Sequence, residues 1–212
     1  MQEVKKVETK VEEIKNIKMK PAEKVAAFEK ELPFIKGKDM REFATKSVEE
    51  LPDYFFTVPA SSSGRFHPSY ALGNGGLLRH TRSALRIAHE LFRMDMFKYL
   101  GQNGRDIVFT SLILHDGQKQ GDGKGKHTVA THPLLQAEAM RKSETRKLIP
   151  SDDFDIICGN IECHMGQWNF DYTSHKEVLP KPDSRIKNIV HLCDYLASRR
   201  CLEMNFEAKL ST

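Results

Sequence analysis

At five points along this 212-residue chain, a histidine or an aspartate stands where an apolar helical face would otherwise continue. His80 lies on the flank of a periodic stripe that begins at Leu77. His115 and Asp116 follow Leu112-Ile113-Leu114 and precede Gly117. His132 comes just before Pro133, His164 closes a run that starts near Ser151, and Asp194 sits between Cys193 and Leu196. An imidazole or carboxylate set among apolar side chains must be paired, protonated or metal-bound, because an isolated buried charge costs many kcal/mol. Placed on separate helices, these groups need one another. Together they offer nitrogen and oxygen donors and no thiolate, a set that suits a divalent ion (Mn, Mg, Fe, Co, Ni or Zn), with one or two ions per chain both open. Taken singly, each has a plainer account, since a lone helical histidine is commonly a core or surface residue. His89, His127, His175 and His191 are read that way, with His127 and His191 expected to neighbour the cluster.

Other residues near these points carry charge or flat rings. Arg65 and His67, held by Pro68, either reach over the cluster as phosphate contacts or are ordinary loop residues. Lys119, three residues after Asp116, either neutralises phosphoryl oxygens or is a solvated lysine. Gly117, Gly121, Gly123 and Gly125 alternate with Lys119, Lys124 and Lys126 in a basic loop. The loop lacks the G-x-x-x-x-G-K-[ST] order of a P-loop. Trp168, Phe170 and Tyr172 either stack a nucleobase or pack on the protein. Arg79 and Arg82 flank His80 on different faces, so at most one points inward.

The elements that must position these residues read as helices. Leu77, Thr81, Ala84, Ala88 and Leu91 make one face over 77–93, and Ile107 to Leu114 continue in a second helix. Three more are expected over 133–148, 151–165 and 184–203. Shorter ones are expected over 22–31 and 39–50, the latter with Asp39 as N-cap. No run alternates with period two, so the fold class is all-α, a helical bundle with long loops at 52–76, 116–131 and 166–183. Val4, Val7, Val11 and Ile14 mark a weak amphipathic stripe that Pro21 ends, read either as a docking helix or as a frayed terminus. The expected organisation is a charged helical extension over 1–50, a domain over 51–206 and a tail over 207–212.

Composition narrows the class. With 39% hydrophobic and 29% charged residues, the chain is neither disordered nor membrane-like. No apolar run approaches the ~18 residues of a membrane span, and the first residues, Met1-Gln2-Glu3-Val4-Lys5-Lys6, lack the apolar core of a signal peptide, so the expected location is cytoplasmic. Lys and Arg total 33 against 29 Asp and Glu, a net +4 that allows a polyanionic partner without requiring one. Cys158, Cys163, Cys193 and Cys201 form no C-x-x-C pair and read as small hydrophobes.

The order His80, His115-Asp116, Asp194 resembles the HD-domain superfamily of metal-dependent phosphohydrolases. Gly75-Gly76-Leu77-Leu78-Arg79-His80-Thr81 is similar to the family's Gly-Gly-Leu-Leu-Glu-His-Thr, and Asp194 to Arg199 is similar to its closing segment. Lys119 falls where the family's His-Asp-x-Gly-Lys carries lysine, although Gly117-Gln118 departs from the usual Ile-Gly. Thr131-His132-Pro133-Leu134-Leu135-Gln136-Ala137 resembles His-Pro-x-x-Gly-Ala with Gln136 for Gly. Ile161-Glu162-Cys163-His164-Met165 resembles Ile-x-x-His-His with Met165 for the second His. The likeness covers about residues 65–200 and is greatest to the HD part of bacterial 3′-to-5′ exoribonucleases.

The resemblance implies an HD-type bundle in which His80, His115, Asp116 and Asp194 hold one metal. Asp116 would bridge to a second metal held by His132 and His164. With a single metal, His132 and His164 become phosphate donors or a general acid. Asp116, Lys119, His132 and His164 are then the catalytic set, and Arg65, His67, Lys119 and Trp168 the substrate contacts. The implied substrate is a phosphorylated small molecule such as a nucleotide. Single-stranded nucleic acid or a non-catalytic nucleotide-binding role are the alternatives.

Overall fold

The computed structural model describes residues 18–62, 64–123, 125 and 127–206. The stripe from Val4 to Ile14, Lys124 and Lys126 of the basic loop, and the tail 207–212 lie outside the described residues. Seven α-helices form among those described: α1 (Pro21–Ala26), α2 (Lys38–Glu50), α3 (Gly76–Leu91), α4 (Gly101–Leu114), α5 (His132–Lys142), α6 (Ser151–Glu162) and α7 (Arg185–Ala197). The one β pairing among them is an isolated antiparallel bridge between Phe170 and Glu177. The fold is all-α, as the periodicity predicts, and among the described residues no helix is long and apolar enough to cross a membrane.

Helix α4 is the axis of the bundle. Every residue from Asp106 to Leu114 is buried, which requires neighbours on all sides. Helices α2, α3, α6 and α7 supply them; α3 also packs on α7, and α5 on α6. The last turn of α4 therefore delivers His115 and Asp116 to the middle of the molecule. Phe28, Ile35, Phe43 and Val48 are fully buried in the same core, so the boundary expected at residue 50 runs through that core. Glu31, also fully buried, accepts from Arg82 Nε at 3.1 Å and Arg86 Nε at 3.0 Å and ties the turn after α1 to α3.

Several helix ends differ from the periodic expectation, each for a local reason. Asp39 is not the N-cap of α2 but lies within its first turn. Gly37 stands at that position with no side-chain cap, and Asp106 of α4 accepts the N–H of Lys36 at 3.0 Å and of Gly37 at 2.7 Å, fixing the entry to the helix. The expected helix over 133–148 breaks at Ser143, whose backbone is extended and whose Oγ accepts from Thr145 N–H to start a 3-10 turn, Glu144–Leu148. Helix α1 stops at Ala26 and gives way to turns before residue 31, and α7 stops at Ala197 rather than 203.

In the connection before α3, Phe55, Phe56, Val58 and Ala60 are buried. The connection holds the start of α3 through Leu77 N–H to Val58 O at 2.9 Å. A Cβ on Gly76 would lie 2.2 Å from Ala71 O, so the backbone approach that sets α3 in place requires glycine there.

Candidate metal centre

Four helices and one loop bring six side chains together. His80 comes from the first turns of α3, and His115 and Asp116 from the end of α4. His132 opens α5, His164 follows α6, and Asp194 lies in the last turn of α7. All but Asp194 are essentially fully buried, and the Asp194 side chain is 15% exposed. Asp116 lies between two histidine pairs. Its Oδ2 is 3.4 Å from His115 Nε2 and 3.8 Å from His80 Nε2, while its Oδ1 is 2.9 Å from His132 Nε2 and 3.6 Å from His164 Nε2. Asp194 Oδ1 completes the first group, 2.9 Å from His80 Nε2 and 3.4 Å from His115 Nε2.

The tautomers follow from the backbone. His115 Nδ1 lies 2.7 Å from Leu112 O, His132 Nδ1 2.8 Å from Val129 O, and His164 Nδ1 2.7 Å from Ile161 O. A carbonyl oxygen only accepts, so Nδ1 carries a proton in each ring and Nε2 is the nitrogen that faces the carboxylates. Lone pairs at these separations repel unless a proton or a cation lies between them. His115 Nε2, His132 Nε2 and Asp116 Oδ1 are buried with no hydrogen bond made. Orienting the far ring nitrogen on a backbone carbonyl is also how metal-binding histidines are commonly held.

These distances fit a coordinated ion. Bonds of about 2.1 Å place neighbouring donors about 3.0 Å apart in an octahedron and about 3.4 Å apart in a tetrahedron. His80, His115 and Asp194 form one group of donor atoms within 4.8 Å of one another, and His115, Asp116 and His164 form another. The buried His/Asp cluster could hold a metal ion.

Electrostatics agree with the geometry. Burial alone would raise the Asp116 carboxyl, but Lys119 and His115 hold it well below the usual carboxylate range. Asp194 is held down against burial by His115 and His80. Burial opposes charging of His115, yet the Asp116 and Asp194 carboxylates outweigh it and push the imidazole up to about 10. His132 goes the other way: burial pushes it down to about 4 despite the Asp116 carboxylate beside it.

A cleft of about 740 Å³ opens onto the cluster, lined by His80, His132 and Asp194. Arg65, His67, Lys119 and Trp168, all anticipated as substrate contacts, line it too. Lys119 Nζ also pairs with Asp116 Oδ2. His67 stands edge-on to His80, ring centres 5.5 Å apart, and burial pushes it down to about 3, helped by His80. Arg79 and Arg82 both turn away, Arg79 to the carbonyls of Tyr70 and Leu72 and Arg82 to Glu31. His127 lines the cleft; His191 Nδ1 lies 2.7 Å from His164 O, behind a donor. Neither His89, stacked on Phe34, nor the exposed His175 approaches the cluster.

Three positions escaped the sequence reading. Tyr54 OH accepts from Gln120 N–H at 3.2 Å and lies 3.3 Å from the carbonyls of Gly117 and Gly121, bracing the loop after Asp116. Tyr195 and Arg199 line the cleft; both lie in the quoted closing segment, but nothing in their spacing marks them. No protein-family model, no curated protein and no solved structure matches this chain.

Proposed function

We propose that the chain is a metal-dependent phosphohydrolase of the HD type that hydrolyses a phosphoester of a nucleotide or a related small molecule. The observation that carries this reading is the convergence of His80, His115, Asp116 and Asp194 in one buried cluster at the floor of a cleft. Their order along the chain is the one the HD resemblance rests on. Asp116 placed between two histidine pairs favours two ions over one. When bound, a divalent ion supplies hydroxide from water near neutral pH and polarises a phosphoryl oxygen.

The chain's own groups supply the rest. Lys119 lies beside Asp116 at the cleft and offers positive charge to the equatorial phosphoryl oxygens. His67, neutral at pH 7 and edge-on to His80, presents a ring nitrogen to the leaving oxygen or to phosphate. His132 and His164 hold their Nε2 atoms toward Asp116 Oδ1 and complete the inner shell. The volume of the cleft suits a small molecule, within the usual ~300–1,000 Å³ of such sites.

The test is a screen of purified protein with Mn²⁺ against nucleoside monophosphates, cyclic nucleotides and short oligonucleotides, with Asp116→Ala as blank. Turnover of small phosphoesters, lost in the variant and only weakly dependent on salt, is expected. Strand cleavage with a steep salt dependence would favour an exonuclease instead. No turnover of any phosphoester would reject the reading.

A further inference from the structure

The cleft has an aromatic end as well as an acidic one. Trp168 and Tyr195 stack with ring centres 5.4 Å apart and planes 11° from parallel. The guanidinium carbon of Arg199 lies 4.4 Å from the Tyr195 ring centre, 5.6 Å from Trp168 and 5.8 Å from Phe66. Arg199 Nε and a terminal nitrogen both donate to Ser198 Oγ, at 3.2 and 2.9 Å, which fixes the guanidinium plane. Phe66, Trp168, Tyr195 and Arg199 all line the cleft.

Single peptide links join this group to one metal donor and to a neighbour of another. Asp194 and Tyr195 are consecutive on α7. In the loop opposite, Phe66 precedes His67, whose ring meets His80. Asp194 lines the same cleft as these four side chains, so the flat, cationic surface shares the cleft with the His–Asp cluster. We propose that Phe66, Trp168, Tyr195 and Arg199 form the base-binding half of the substrate site. The substrate is then a nucleotide, its base against this surface and its phosphate at the His–Asp cluster. The inference rests on the phosphohydrolase reading for the phosphate end. Aromatic rings and a planar guanidinium attract any base through its π face, so purines and pyrimidines are both accepted. A sugar phosphate offers no flat face and gains nothing from this surface.

Trp168 is the only tryptophan in the chain, so its fluorescence reports occupancy without turnover. The full chain is titrated with AMP, UMP and ribose 5-phosphate, in Mg²⁺ and separately in EDTA. Both nucleotides should quench and ribose 5-phosphate should not. Phe66→Ala should weaken nucleotide binding about fivefold or more, the range of base stacking. Phe66 is 58% exposed, so its truncation spares the core. Arg199→Lys should weaken binding similarly, since it keeps the charge and loses the plane. Equal binding of ribose 5-phosphate, or no effect of either variant, overturns the base subsite. If ribose 5-phosphate is hydrolysed as efficiently as UMP, the subsite falls while the hydrolase reading stands. If nothing is hydrolysed but the quenching keeps the expected order, the subsite stands and the hydrolase reading falls.

Discussion

His80 Nε2 lies 2.9 Å from Asp194 Oδ1, although 114 residues separate them in the chain. The contact joins α3 to α7 across the bundle, and Asp116 sits within 3.8 Å of the same ring nitrogen. Asp116 is the common member of both histidine pairs, so its loss should differ in kind from the loss of any one histidine. Asp116→Ala should abolish metal binding in elemental analysis, whereas His132→Ala should retain an ion at His80, His115 and Asp194. Metal at 100 times its dissociation constant should stabilise the parent by about 2.7 kcal/mol. For a chain of this length that raises the melting temperature by about 5–10 °C. A chelator should reverse the rise, and Asp116→Ala should show none. A parent insensitive to Mn²⁺, Mg²⁺, Co²⁺, Ni²⁺ and Zn²⁺ alike would remove the case for a metal centre.

The metal-free protein should lose stability on either side of neutrality. Burial lowers His132 from 6.5 to about 4, so between those values the unfolded chain binds a proton that the folded one refuses. Its contribution is complete above pH 6.5 and falls as the pH drops through that window, by roughly 3 kcal/mol. His67, lowered to about 3, acts in the same direction. His115, raised to about 10, is opposite in sign. Its contribution is complete below pH 6.5 and disappears as the pH climbs toward 10. Urea denaturation in EDTA at pH 5, 7 and 9 should show the maximum at 7, and His132→Gln should flatten the acid limb. An unchanged acid limb in that variant would contradict this account of His132.

What could be read from the sequence was the part written in local patterns. The stripe from Leu77 to Leu91 carries its period in consecutive residues, and His115-Asp116 betray themselves by following an unbroken apolar run. Asp39 does not cap α2: Gly37 stands at that position, held by Asp106, which lies 69 residues away in the chain and reaches it only in the folded protein. Tyr54 was overlooked for the same reason: its hydroxyl serves the Asp116 loop from a 3-10 turn that has no periodicity of its own. Arg199 lies in a motif, but two of the three rings around it, Phe66 and Trp168, come from two other segments.

Glu31 should be among the most costly single positions to change. It is fully buried, and both Arg82 and Arg86 donate to its Oε1. Arg86 also donates to Phe206 O, so the network joins the N-terminal turn, α3 and the C-terminal segment. Removing one partner of a buried ion pair leaves the other charge uncompensated, at a cost of about 3–5 kcal/mol. Glu31→Ala should show a loss of that size in urea denaturation. A loss under 1 kcal/mol would mean that water reaches Arg86 in the folded protein.

The two departures from the resembled motifs after His115-Asp116 and His132-Pro133 meet in space. A Cβ built on Gly117 would lie 2.2 Å from Gln136 Oε1 and 2.7 Å from Leu51 Cδ2, so glycine at one position makes room for the amide at the other. Gln136 is 4% exposed and has little freedom to withdraw. Gly117→Ala should therefore displace the backbone beside Asp116 and weaken metal binding at least tenfold, with a loss of folding stability. Adding Gln136→Ala removes the nearer obstacle and leaves only a leucine methyl, which can rotate. The double variant should bind metal more tightly than Gly117→Ala alone, and the two changes should couple by more than about 0.5 kcal/mol, beyond the additivity of independent sites. Calorimetric metal titrations of the four proteins in this cycle give the coupling directly. Strict additivity would show that Gly117 is required by the Leu51 contact and that Gln136 fills its space independently.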